Sequence, residues 1–188
     1  MTVVLLRTAT DRGSYHSAEI VHERGRLVPF DIGYIDFDDP KQYREMWVGG
    51  GFTPLATSRV SLTAEALIAK SYGERAGGAL YFQPFFLGRV RVSRKVMVES
   101  AYFAYVPLND AGYAQHLLER AKVEYDLPRF KFGGGYGAYY ARGIAWQHKP
   151  FVTTTIRAPV VGDVEIWLQR MNADRFTVQV RYSKVFVH

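Results

Sequence analysis

The period of two running from Arg89 to Val98 constrains this chain more than any other stretch. Val90, Val92, Val96 and Val98 fall on one face, while Arg89, Arg91, Ser93 and Lys95 fall on the other. Successive side chains alternate sides only along an extended backbone, so the pattern predicts a half-buried strand with a solvated basic face. Arg94 interrupts the apolar face. A bend or bulge there re-aims it, and Ala101 to Val106 continues as a second, aromatic-rich strand.

Shorter strands are expected at Thr2 to Thr8 and Arg26 to Phe30, around a polar turn region that includes Asp11, Arg12 and Gly13. Tyr43 to Val48 reads as another, stopped by Gly49, Gly50 and Gly51, and the segment before it, Asp31 to Pro40, reads as an acidic loop. Phe151 to Arg157, Asp163 to Gln169 and Arg175 to Val187 follow, the last two joined by a turn around Asn172, Ala173 and Asp174. In the final strand Phe176, Val178, Val180 and Tyr182 share a face, whereas Val185 and Val187 have the opposite parity. That slip predicts a bulge near Ser183 and Lys184, or pairing of the last residues with a different sheet.

Two segments have helical spacing. From Ser61 to Tyr72, Leu62, Ala66, Ala69 and Tyr72 share one side, with Ser61 or Thr63 as cap and Gly73 as stop. From Asn109 or Asp110 to about Val123, Tyr113, Leu117 and Ala121 with Ala114, Leu118 and Tyr125 form one broad apolar side, and Leu127 and Pro128 end the helix. With no repeat, linker or composition break, residues 1–188 are expected to form a single α+β domain. Its sheet is mainly antiparallel, a sandwich or open barrel-like, with the two short helices packed on it.

Composition bounds the function. An apolar content of 48% and an aromatic content of 15% exclude a disordered chain, and the absence of cysteine rules out disulfides and thiolate chemistry. A net charge of +6 favours acidic partners. No stretch reaches the ~18 uninterrupted apolar residues of a spanning helix, and Met1 to Arg7 lacks the features of a secretory leader. The expected locations are therefore a virion or the cytoplasm, without membrane contact.

No nucleophile elbow, phosphate-binding loop or His-Glu-x-x-His pattern occurs, and no cofactor or metal is expected. His16 and His22, with Glu19 and Glu23 nearby, lie ~20 Å apart on a continuous strand, too far to share a metal. Asp31, Asp36, Asp38 and Asp39 lack the ordered alternation of a calcium loop. Arg89, Arg91, Arg94 and Lys95 suggest a backbone-tracking nucleic-acid contact as one alternative. Another rests on Arg7 at the end of the first strand, Thr57 and Ser58 before the first expected helix, and Asp163 with Glu165 late in the chain. This order resembles the motifs of mono-ADP-ribosyltransferases. The resemblance implies that Arg7 and Ser58 order a nicotinamide dinucleotide and that Glu165 stabilises an oxocarbenium-like transition state.

Lys131 to His148 alternates glycines with aromatics and favours contact over chemistry. The preferred expectation is a non-enzymatic assembly subunit, such as a phage-like capsid, decoration or tail protein. It would act through self-association or neighbouring subunits, with Tyr136, Tyr139, Tyr140, Trp146, Val185 and Val187 at interfaces.

Overall fold

The computed structural model describes residues 1–10, 14–38, 43–73, 77–158, 160–172 and 175–187. The expected turn residues Asp11, Arg12, Gly13, Ala173 and Asp174, and Asp39 of the acidic segment, lie outside them. Twelve strands follow one another: β1 (Thr2–Thr10), β2 (Tyr15–Arg24), β3 (Leu27–Phe37), β4 (Arg44–Ala56), β5 (Val60–Tyr72), β6 (Leu80–Arg91), β7 (Val96–Pro107), β8 (Gln115–Asp126), β9 (Phe130–Ala141), β10 (Ile144–Ala158), β11 (Gly162–Asn172) and β12 (Arg175–Phe186). Each pairs antiparallel with its neighbours in sequence, and β1 pairs with β12 from Thr2↔Phe186 to Thr10↔Val178. The sheet is a closed barrel. Closure leaves no strand edge, so every wall strand has ladder partners on both sides.

The α+β expectation is therefore corrected: among the described residues there is no helix. Ser61 to Tyr72 belongs to β5, held from Val60 to Lys70 by β6 and from Ser61 to Tyr72 by β4. Its alanines and apolar spacing suit a helix locally, but ladders on both sides satisfy its backbone more completely than a helix lying on a sheet. Gln115 to Asp126, overlapping the second expected helix, is β8. Here the register slips between Leu118 and Ala121 against β9, the mark of a β-bulge. The outward series His116, Leu118, Ala121, Val123, Tyr125 consequently contains one step of three. That step imitates a helical period.

The acidic loop is corrected too, because Asp31 to Phe37 is the second half of β3. The basic stretch is two strands, with Val92 to Lys95 turning between β6 and β7. No slip occurs in β12 near Ser183, whose pairing with β1 runs without interruption. Val185 continues the inward parity of Arg181 and Ser183, while Val187 lies beyond the strand.

The polarity of the two faces is the reverse of a soluble protein's. Inward positions carry Asp31 at 2% exposure and Lys122 at 6%, whereas outward Val48 is 53% and Val152 59% exposed. The barrel's interior has a small apolar knot of Ala69, Ala79 and Tyr81, packed by Trp47 and Tyr105. The rest of its inner wall is largely polar. Glycine allows neighbouring strands to crowd the inner wall at two places. A Cβ on Gly49 would stand 2.1 Å from the Ala66 carbonyl oxygen, and one on Gly135 2.4 Å from that of Ala121.

Both chain termini and five of the turns lie at one end, hereafter the terminal end; the longer connections lie at the other. A twelve-residue strand tilted by roughly 40° climbs about 30 Å, the thickness of a bilayer's hydrocarbon core.

Candidate functional site

The site is assembled at the β8 bulge. Regular alternation would send Glu119 and Arg120 to opposite faces, but the extra residue turns both into the lumen. Glu119 accepts a hydrogen bond from Arg7 of β1 at 2.6 Å and pairs with Arg181 of β12 at 3.0 Å. Arg120 also contacts Glu119, and its Nε donates to Glu99 of β7 at 2.5 Å. Arg7 reaches on to Glu19 of β2 at 3.2 Å. The result is a crossbar of side chains linking two sides of the barrel.

Geometry shows why this is a constriction. Twelve strands spaced ~4.8 Å apart and tilted roughly 40° enclose a ring about 24 Å across. The extended side chains of an arginine and a glutamate together cannot bridge that span. The contact between Arg7 and Glu119 therefore draws the β1 and β8 walls together and narrows the passage between them.

Lys122 extends the network along β8, with its Nζ 3.1 Å from Glu124, 2.9 Å from Glu165 and 3.6 Å from Glu99. Thr153 donates to Glu165 at 3.0 Å. The Arg181 guanidinium lies 3.6 Å from the centre of the Trp167 ring, which stacks on Phe151 at 3.9 Å. Burial makes these matched charges interdependent, because removing one partner strands the other in a poorly solvated place. Arg181 Nε and Glu65 Oε2 keep unused hydrogen-bonding capacity inside the lumen.

The inner wall is asymmetric in charge. From β2 to β5 its ionisable inward residues include Glu19, Glu23, Asp31, Glu45 and Glu65, with no inward lysine or arginine among the described residues. Trp47 donates to Asp31 at 3.2 Å, while Tyr43 and Gln83 donate to Glu45 at 2.5 and 2.9 Å. The basic groups Arg120, Lys122, Lys149 and Arg181 stand on the β8 to β12 side.

The outer wall carries aromatic rings toward both rims. Phe30, Phe52, Tyr125, Phe130, Phe132 and Phe186 lie toward the terminal end, and Tyr72, Tyr102, Tyr140 and Trp146 toward the other. Rings in two girdles around an apolar band are the surface expected of a barrel that spans a bilayer.

Of the expected interface residues, Tyr136, Tyr140 and Trp146 lie on the outer wall, with Tyr140 and Trp146 stacked at 5.1 Å and Tyr136 hydrogen-bonded to His148. Tyr139 points inward and donates to Gln115 at 2.7 Å. Val185 occupies an inward position near the terminal end, and Val187 is exposed beyond it. His16 and His22 both face outward, bonded to Thr8 and Thr2. Asp31 lines the lumen, Asp36 pairs outside with Arg44 at 3.2 Å, and Asp38 accepts from Ser14 at 2.9 Å.

No family model and no curated protein matches the sequence. Solved structures do match in shape. A KdgM porin aligns with a TM-score of 0.70 over 98% of this chain and 99% of that one, at 12% identity. A second structure, of KdgM porin in complex with disordered oligogalacturonate, aligns equally well at 14% identity. A NanC porin gives a TM-score of 0.61 at 8% identity, covering 97% of this chain and 98% of that one. The fold is that of porin barrels.

This likeness and the inverted polarity overturn the expected virion subunit, its virion or cytoplasmic location and its lack of membrane contact. The physical reason is that alternation reveals two unlike faces without saying which one meets water. The transferase alternative falls with them: Arg7 and Glu165 line the lumen, but Ser58 sits in the exposed turn between β4 and β5. So does the basic nucleic-acid strand. Arg89 faces inward to Glu99 at 2.7 Å, Arg91 to Asp126 at 3.7 Å, and Arg94 and Lys95 belong to a turn.

Glu119, Arg120, Arg181 and Lys122 belong to no motif that singles them out in the sequence. The available signal was the density of opposite charges at the polar positions of β8, in the run Glu119-Arg120-Ala121-Lys122-Val123-Glu124.

Proposed function

We propose that the protein is a porin-like channel of an outer membrane, passing small polar solutes through a lumen narrowed by the Glu119 and Arg120 crossbar. One observation carries the reading: buried carboxylates and basic groups line the inside of a closed barrel whose outside carries an apolar band between its two rims. A bilayer supplies the only surroundings in which that outside surface is buried and the backbone is fully paired.

The lumen's chemistry favours cations and neutral polar molecules. The oligogalacturonate seen with one KdgM porin is a polyanion. Here Arg7, Arg120, Lys122 and Arg181 are each matched by carboxylates, and the β2 to β5 wall adds further acidic side chains without a lysine or arginine among the described residues. A passing anion meets few uncommitted cations.

Reconstitution into planar lipid bilayers tests the proposal. Discrete conductance steps are expected, with a reversal potential under a potassium chloride gradient that reports cation preference. An inserted barrel with no conductance would overturn the channel reading, and one preferring chloride would overturn the proposed selectivity.

A further inference from the structure

The positive charge that the lumen does not use collects at one rim. The turn between β2 and β3 carries Arg26 beside Arg24, that between β4 and β5 carries Arg59, that between β6 and β7 carries Arg94 and Lys95, and that between β8 and β9 carries Arg129. These four turns are consecutive around the terminal end and contain no aspartate or glutamate. All six cations are exposed.

Their environment differs from that of the inward arginines at the same end. Arg89 pairs with Glu99, while Arg91 and Arg157 both pair with Asp126, the latter at 2.5 Å. None of the guanidinium groups of Arg24, Arg26, Arg59, Arg94 and Arg129 has a hydrogen bond or ion pair with another described residue. Lys95 lies 5.7 Å over the Tyr125 ring. The inward arginines at the mouth are paired with carboxylates and the arginines of the collar around them are not.

Position supplies the partner. The outer-wall residues next to these turns are Leu27, Phe52, Leu55, Leu62, Val90 and Phe130, all exposed and apolar or aromatic. On the membrane reading proposed above, this collar lies at the level where acyl chains give way to headgroups. We infer that the collar binds anionic phospholipid headgroups, selecting them for the lipid shell at the terminal end. The charge is complementary, and arginine forks suit phosphate oxygens.

The test uses the reconstituted barrel in phosphatidylcholine vesicles containing a trace of spin-labelled phosphatidylglycerol or spin-labelled phosphatidylcholine. The immobilised fraction of each probe gives its association with the barrel. At low salt the wild-type barrel is expected to prefer phosphatidylglycerol by about fivefold or more, with the preference falling as salt screens it. Replacing all five arginines (Arg24→Gln, Arg26→Gln, Arg59→Gln, Arg94→Gln and Arg129→Gln) should bring the two probes close to parity. Arg142→Gln, in the turn between β9 and β10 at the opposite end, should leave the preference intact.

Equal association of both probes with an inserted wild-type barrel would overturn the inference and leave the membrane reading standing. A salt-independent preference, or one lost equally in Arg142→Gln, would also overturn it. If the five-site variant does not fold, the five single variants take its place: each should lower the preference, and five unchanged preferences would overturn the inference. A wild-type barrel that does not insert at all would instead overturn the membrane reading.

Discussion

Glu119 holds three guanidinium groups that reach it from different directions: Arg7 from β1, Arg181 from β12 and Arg120 from the adjacent position. Its side chain is mostly hidden from water, so no solvent shell replaces it when it is removed. Glu119→Ala is expected to cost about 3–5 kcal/mol, the usual penalty for stranding buried charge, read as a lower urea midpoint for unfolding from lipid vesicles. The same variant should move ion preference toward chloride, because three guanidinium groups then lose their shared carboxylate at the level of the crossbar. Unchanged selectivity with lower stability would place the crossbar outside the conducting path. Little of this residue's role was legible beforehand. Glu119 and Arg120 are neighbours in sequence, and alternation alone assigns neighbours to opposite faces. Only the bulge, which depends on the register of β7 and β9 against β8, brings both inward.

At the scale of the element, β8 is the strand where sequence and fold part company. The strands expected at Thr2 to Thr8, Phe151 to Arg157, Asp163 to Gln169 and Arg175 onward fall within β1, β10, β11 and β12, because they are rich in β-branched and aromatic residues and hold no glycine or helix-like spacing. β5 is hidden by alanines that suit a helix, and β2 by its mixed polar composition. β8 is hidden by one extra residue. Deleting Glu119 tests that explanation. With the deletion, Leu117, Arg120 and Lys122 take alternate inward places while Leu118 and Ala121 face out, so the strand regains an unbroken period. The barrel should still fold, shown by the slower or faster gel migration of unheated sample relative to boiled sample. Its conductance should exceed the wild type's, since the hub of the crossbar is gone. Failure to fold would mean that the bulge is required for closure and not only for aiming Glu119 and Arg120.

For the molecule as a whole, the decisive property is which face of the wall meets lipid. The sequence holds the alternation but not its sense: Val90 and Val98 with Arg89 and Arg91 look the same whether the valines line a core or face a bilayer. Individual strands of such barrels carry no long apolar run, so a search for spanning segments passes over them. The sense is fixed only by closure, when the inward faces of twelve strands converge on one largely polar lumen. A pair of arginine substitutions separates the two cases. Val152 lies outward in the middle of β10, and Val152→Arg should destabilise the barrel in lipid by about 2–4 kcal/mol, as expected for a cation placed near the bilayer midplane. Ser183 faces inward and pairs across the ladder with Asp163, so Ser183→Arg should change stability by no more than about 0.5 kcal/mol. Equilibrium unfolding from vesicles of one lipid composition measures both. On a water-facing wall the exposed Val152 would accept arginine at little cost; a neutral Val152→Arg would therefore contradict the membrane-spanning orientation. A large penalty confined to the outward position requires that orientation, because only lipid makes a charge on the exposed face more costly than one inside the barrel.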